Sequence, residues 1–213
     1  MFKFTSNEIR DLLIAFFVIS LCFGIANTGR NISALINILP MIMIGVGLGF
    51  ILHELGHKFV SMKHGYWAEF KLWPQGLLFA LITSFFGFVF AAPGAVYTYA
   101  NYMTDEINGK ISVAGPVVNI LLALIFLGIA AAVYPSAFHS QNSVLIFIVC
   151  SLGYSINSYL AVFNLLPIGN LDGSKVLRWN AGIWVITIAI AGVLTFLSMT
   201  MGAENIVKLI IGF

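Results

Sequence analysis

His53, Glu54 and His57 form a His-Glu-x-x-His pattern within the run 49–58. In a helix of 3.6 residues per turn the two imidazoles stand about 40° apart on one face. Two nitrogens so placed can take two corners of a zinc tetrahedron, with Glu54 beside them to handle a zinc-bound water. The same pattern also arises as a pair of surface histidines on soluble helices. Here the surrounding run is apolar and offers no polar face, so His53, Glu54, His57 and Lys58 need partners. A catalytic zinc takes three protein ligands and keeps one position open. Asp172 is the candidate third ligand, a lone acid between Leu171 and Gly173, just past a helix broken at Pro167 and Gly169. Its competing role is to cap the helix that Gly173-Ser174-Lys175 would begin.

These residues must be held by elements that suit a membrane. Of the 213 residues 60% are hydrophobic and 8% charged, and the mean hydropathy is +1.00. That composition predicts an all-α polytopic membrane protein, with the lipid bilayer as its solvent. A net charge of +2 is too small to argue for nucleic acid. Cys22 and Cys150 lie in separate apolar runs and read as small buried hydrophobes, not as ligands or a disulfide. Thr5-x-x-Glu8 reads as a capping box that leads into the first span, with no cleavable signal and no soluble domain expected at either end.

Along the chain, apolar runs at 12–26, 35–62, 111–134, 143–166 and 181–201 predict about five transmembrane helices. The second carries the His-Glu-x-x-His pattern, and its Gly45, Gly47 and Gly49 read as close helix packing. Segments 63–71 and 97–110 read as polar connections. His64, Asp105, Glu106 and His139 are expected at the surface. The terminal run 203–213 is too short to cross and would lie in the interface.

Segment 76–96 is the exception, apolar and long enough to span. If it does not cross, Lys3, Arg10, Lys58, Lys63, Lys71, Lys110, Lys175 and Arg178 share one side, against Arg30 and Lys208 on the other. Eight against two marks that side as cytoplasmic, with the N-terminus and the opening of the site on it. If the segment crosses, Asp172 moves to the far side from the histidines. The expectation is therefore a re-entrant segment at about 74–100, turning at Ala92-Pro93-Gly94-Ala95, with 91–100 able to supply a β-hairpin strand beside the zinc.

His53-Glu-Leu-Gly-His57 in one span, with Asn164-x-x-Pro167-x-x-x-Leu171-Asp172-Gly173 two spans later, resembles the site-2 proteases, intramembrane zinc metalloproteases. Gly115-Pro116-x-x-Asn119 matches the family's third motif. The resemblance covers about half the chain. It implies a single membrane-embedded protease domain over 1–213, with a catalytic core at about 35–175 and one zinc per chain. It implies that His53, His57 and Asp172 bind the metal, that Glu54 activates water, and that Asn119 holds substrate backbone. Such proteins cleave transmembrane segments of membrane-embedded protein substrates, within the cell membrane. This sequence departs from many members in lacking a periplasmic peptide-binding or nucleotide-sensing domain, and in its long insert at 76–96 and its short final segment.

The site also suggests a mechanism. Zinc brings the pKa of bound water to about 7, and Glu54 takes the proton and delivers it to the leaving amine. A substrate helix must first unwind, since its backbone is already hydrogen-bonded. Two other classes use such residues. A metal-ion transporter would bury histidines and an acid, but at several stations across the bilayer and without need of Glu54. An inactive scaffold would have little reason to keep the whole motif set.

Overall fold

The computed structural model describes residues 3–29, 31–90, 92–137 and 139–212. Arg30, Ala91 and Phe213, which entered the charge count, the expected strand edge and the terminal run, lie outside the described residues. Helix α1 (Ser6–Thr28) starts where Thr5 accepts a hydrogen bond from the Glu8 N–H at 3.1 Å. It stops at Gly29, whose φ of 56° is left-handed backbone that glycine takes without strain. Asn31 caps α2 (Ile32–Val46) through the Ala34 N–H. A π-turn at Gly47–Ile51 then carries the chain directly into α3 (Leu52–Lys63), so that 32–63 form one continuous helix. Such wide turns concentrate at functional sites, and this one ends two residues before His53.

After β1 (Trp67–Leu72), α4 (Pro74–Ser84) and β2 (Gly94–Tyr99) come α5 (Asp105–Ala137), α6 (Gln141–Asn164), α7 (Asp172–Trp179), α8 (Ala181–Thr200) and α9 (Gly202–Ile211). Among the described residues, α1, α2–α3, α5, α6 and α8 are long and apolar enough to cross a membrane. The protein is an all-α polytopic membrane protein with one small two-stranded sheet, as its composition indicates.

Segment 76–96 does not form a spanning helix. Its helical part, α4, has 11 residues, about 16 Å at 1.5 Å per residue and half of a ~30 Å hydrocarbon core. The chain returns where it left, because β1 and β2 pair antiparallel with Leu72 opposite Gly94 and Trp67 opposite Tyr99. The partner strand was not expected. Residues 67–72 lie mostly in what reads as a polar connection, yet Ala68 and Phe70 are buried while Trp67 and Lys71 are exposed and Glu69 is partly so, the alternation of a half-buried strand. Segment 97–110 likewise yields to β2 at one end and to α5 at the other.

Two apolar clusters hold the fold. One joins α1, α2 and α6 to the hairpin region through Ile19, Ile42, Phe50, Phe70, Val89 and Ile156. The other joins α5, α6, α8 and α9 through Ala123, Phe126, Tyr154, Ala191 and Ile206. Helix α9 packs back on the bundle, and the Tyr134 hydroxyl donates to Glu204 Oε1 at 3.0 Å. The glycines of α2–α3 do serve close packing. A Cβ on Gly45 would stand 3.1 Å from the Gly153 Cα, and one on Gly49 2.7 Å from the Asn157 side chain. Cys22 and Cys150 are free and buried, while His64, Asp105, Glu106 and His139 are exposed.

Candidate metal centre

His53 and His57, one turn apart on α3, face α5 and the start of α7, and the structure brings Asp172 to them. The two Nε2 atoms are 3.0 Å apart. Asp172 Oδ2 is 3.4 Å from His53 Nε2 and 3.1 Å from His57 Nε2. All three residues are buried. Asp172 does not cap α7: Leu171 occupies the N-cap position, and the carboxylate turns to the histidines. Lys175 Nζ lies 3.8 Å from its other oxygen.

The outward-facing ring nitrogens fix the tautomers. His57 Nδ1 is 2.8 Å from the Ile111 carbonyl oxygen, which can only accept, so Nδ1 carries the proton. His53 Nδ1 is 2.5 Å from Asn119 Oδ1. The Asn119 amide nitrogen donates to the Gly49 carbonyl and to Asn157 Oδ1, both at 3.0 Å, which orients its oxygen toward His53. Both Nε2 atoms therefore present lone pairs toward the Asp172 carboxylate oxygen. Three lone-pair donors at 3.0–3.4 Å repel one another unless a cation lies among them. The edge of a tetrahedron around zinc is about 3.3 Å for Zn–N of ~2.0–2.1 Å, so the donor set fits that ion. No second group of three such donors occurs among the described residues.

Asn119 is engaged on the protein side of the site. The resemblance places it on substrate backbone, whereas its side chain is fully buried and its oxygen and both N–H groups engage the protein. Asn157 of α6 fixes it in turn and donates to Gly153 O at 2.8 Å. Gly115 has an equally local role: a Cβ there would stand 2.5 Å from His57 Nε2 and 2.6 Å from His53 Nε2. The α5 backbone lies directly against the two rings, and only glycine leaves room.

Glu54 lines a cavity of about 640 Å³ together with His53, His57, Asp172, Asn164, Lys175 and residues 94–98 of β2. It is buried, and its Oε2 has no hydrogen-bond partner, the one such side-chain atom among the described residues. A buried, unpartnered carboxylate oxygen is costly and calls for a reason.

The opposite wall is the outer edge of β2. The N–H groups of Phe70 and Leu72 go to Glu8 and Asp11 on α1, at 3.1 and 3.2 Å. Because backbone groups alternate along a strand, Trp67, Glu69 and Lys71 face β2, and their partners Tyr99, Tyr97 and Ala95 face them. Gly94, Val96 and Thr98 thus turn their N–H and C=O groups away from β1. The Val96 N–H faces the Glu54 carboxylate, and no strand among the described residues pairs with this edge.

Three curated proteins are similar to the chain. "Putative zinc metalloprotease MJ0611" of Methanocaldococcus jannaschii is 42% identical over 187 residues, 87% of this chain and 91% of that protein. "Putative zinc metalloprotease Rip2" of Mycolicibacterium smegmatis is 30% identical over 72% of this chain and 61% of its own length. "Putative zinc metalloprotease YwhC" of Bacillus subtilis is 28% identical over 67% of this chain and 70% of its own length. No family model matches the chain, and no solved structure matches it significantly.

Proposed function

The chain belongs to the zinc metalloprotease family of these relatives, and from that premise we propose that it is an intramembrane protease of the site-2 type. Its substrates are transmembrane segments of other proteins. The observation that carries the reading is Glu54: a buried carboxylate with a free oxygen, on a membrane-length apolar helix, beside a His-His-Asp donor set.

His53, His57 and Asp172 hold one zinc per chain. Zinc held there supplies the Lewis acidity that brings the pKa of water to about 7 and polarises a carbonyl. Glu54 Oε2 takes a proton from the attacking water and delivers it to the leaving amine. Asn119 and the Ile111 carbonyl keep the imidazole Nδ1 protons in place, so that both Nε2 lone pairs stay turned to the metal. Asn119 is thus a positioning residue for His53. The outer edge of β2 receives the substrate. A helix unwound in the cavity exposes backbone donors and acceptors, and pairing with Gly94, Val96 and Thr98 satisfies them. That pairing lays a peptide bond beside Glu54. The eight-to-two charge asymmetry supports a cytoplasmic N-terminus and a cavity that opens on the cytoplasmic side of the cell membrane.

The test is cleavage of a membrane-embedded reporter by the purified protein in vesicles, with the product ends determined by mass spectrometry. One cut inside the reporter's transmembrane segment is expected, lost to a chelator and restored by zinc at about one ion per chain. Cuts confined to the reporter's soluble loops would contradict the intramembrane reading.

A further inference from the structure

In a capping box, the Glu8 carboxylate would reach back to the Thr5 N–H. Only half of that box forms. Thr5 accepts from the Glu8 N–H, while the carboxylate turns into the protein. Its Oε2 meets Lys58 Nζ at 2.5 Å, and its Oε1 accepts from the Phe70 N–H at 3.1 Å. The Glu8 and Lys58 side chains are each 1% exposed. Lys58 follows His57 on α3, and Phe70 lies on β1, so one carboxylate joins the metal helix to the hairpin. Three residues along α3, Ser61 Oγ meets Thr98 Oγ1 at 2.8 Å and ties the same helix to β2.

A buried ion pair is a poor stabiliser, because desolvation of the two charges offsets their attraction. Apolar residues of similar volume would hold α1 against α3 at least as well. What a charged, directional contact adds is a fixed distance and orientation. The two elements fixed here are the helix that carries Glu54 and the two histidines and the hairpin that carries the strand edge.

We propose that Glu8 is a positioning residue for the reaction. Through Lys58 and the Phe70 N–H it sets the spacing between α3 and the hairpin, and so selects which bond of a strand paired to β2 lies beside Glu54. The inference rests on the proteolytic reading above. It adds that cleavage fidelity is controlled from α1, which contributes no metal donor. Neighbouring bonds of an extended strand are about 3.3 Å apart, so loosening of this spacing spreads the cut. A misplacement of 1 Å costs on the order of 10²-fold in rate.

Glu8→Gln keeps an acceptor for the Phe70 N–H and uncouples Lys58. Glu8→Gln combined with Lys58→Met also removes the buried cation, and it carries the test if the single variant fails to fold. Each is compared with wild type on the membrane-embedded reporter, with zinc content, kcat per bound zinc, KM and the cut bonds all measured. The expected result is unchanged zinc content, kcat per zinc lower on the order of 10²-fold, a smaller change in KM, and cuts spread from one bond to its neighbours. A mere loss of stability would lower the loaded fraction without moving the cut. An unchanged cut and unchanged kcat per zinc in the folded double variant would overturn the proposal and leave the proteolytic reading standing. No cleavage by wild type would remove that reading, and this inference with it.

Discussion

The two walls of the cavity are finished in opposite ways. On the α3–α5–α7 side the donors are packed to the point where Gly115 cannot carry a methyl group. The outer nitrogens of both rings are hydrogen-bonded, and among the buried side-chain atoms of the described residues only Glu54 Oε2 is left without a partner. On the hairpin side the sheet has one closed edge and one open edge. Glu8 and Asp11 cap β1, whereas β2 keeps Gly94, Val96 and Thr98 turned out toward the cavity. An open strand edge is usually a liability that proteins cover. Here one edge is covered by two carboxylates from α1 and the other faces the metal donors. The closed wall holds a fixed arrangement, and the open wall awaits a partner strand.

The largest expected effect comes from breaking the closed wall. Gly115→Ala should abolish zinc binding as fully as His57→Ala, because the rings are anchored and cannot yield to a Cβ at 2.5 Å. Metal analysis of folded protein checks this, and full zinc occupancy in Gly115→Ala would show that the wall has slack. Asn119→Ala should lower zinc affinity by about 10–100-fold, the range for lost outer-shell partners of a ligating histidine. Chelator competition reads that change. A variant that kept its zinc affinity but lost substrate affinity would return Asn119 to the substrate.

The open wall should be more tolerant of metal-neutral changes. Val96→Pro removes an N–H that faces the cavity and leaves the ladder to β1 intact. Zinc content should be unchanged while the cleavage rate falls about tenfold, as for one hydrogen bond worth ~1.4 kcal/mol. Retention of the full rate would argue that substrate does not pair with β2. The smallest effect is expected at Asp11, which caps the same edge as Glu8 but is not paired with Lys58 of α3. Asp11→Ala frees the Leu72 N–H and should cost about 1 kcal/mol of stability, read by thermal unfolding in detergent, with kcat per zinc unchanged.

The closed wall was far more legible in the sequence than the open one. His53, Glu54 and His57 sit within one helical turn, and their types announce their chemistry. Asp172 could be joined to them because an isolated acid after a broken helix has few alternatives in a membrane. The failure of 76–96 to cross was also legible, through the charge asymmetry. What could not be read were contacts between residues far apart in sequence. The amide chain from His53 through Asn119 to Asn157 links three helices. The strand at 67–72 is short and has a polar alternate face, so hydropathy alone shows a loop. Glu8 matched a local capping motif well enough to hide its partners Lys58 and Phe70, 50 and 62 residues away. The π-turn before His53 leaves no hydropathic mark.

In the proposed mechanism Glu54 moves the proton in peptide hydrolysis while taking no part in holding the metal. Glu54→Gln preserves size and polarity but cannot act as a base. Cleavage of the membrane-embedded reporter and zinc content are to be measured on the same preparation. The expected result is about one zinc per chain, as in wild type, with cleavage reduced on the order of 10²–10⁴-fold. Cleavage at the wild-type rate, or loss of the zinc together with the activity, would contradict it.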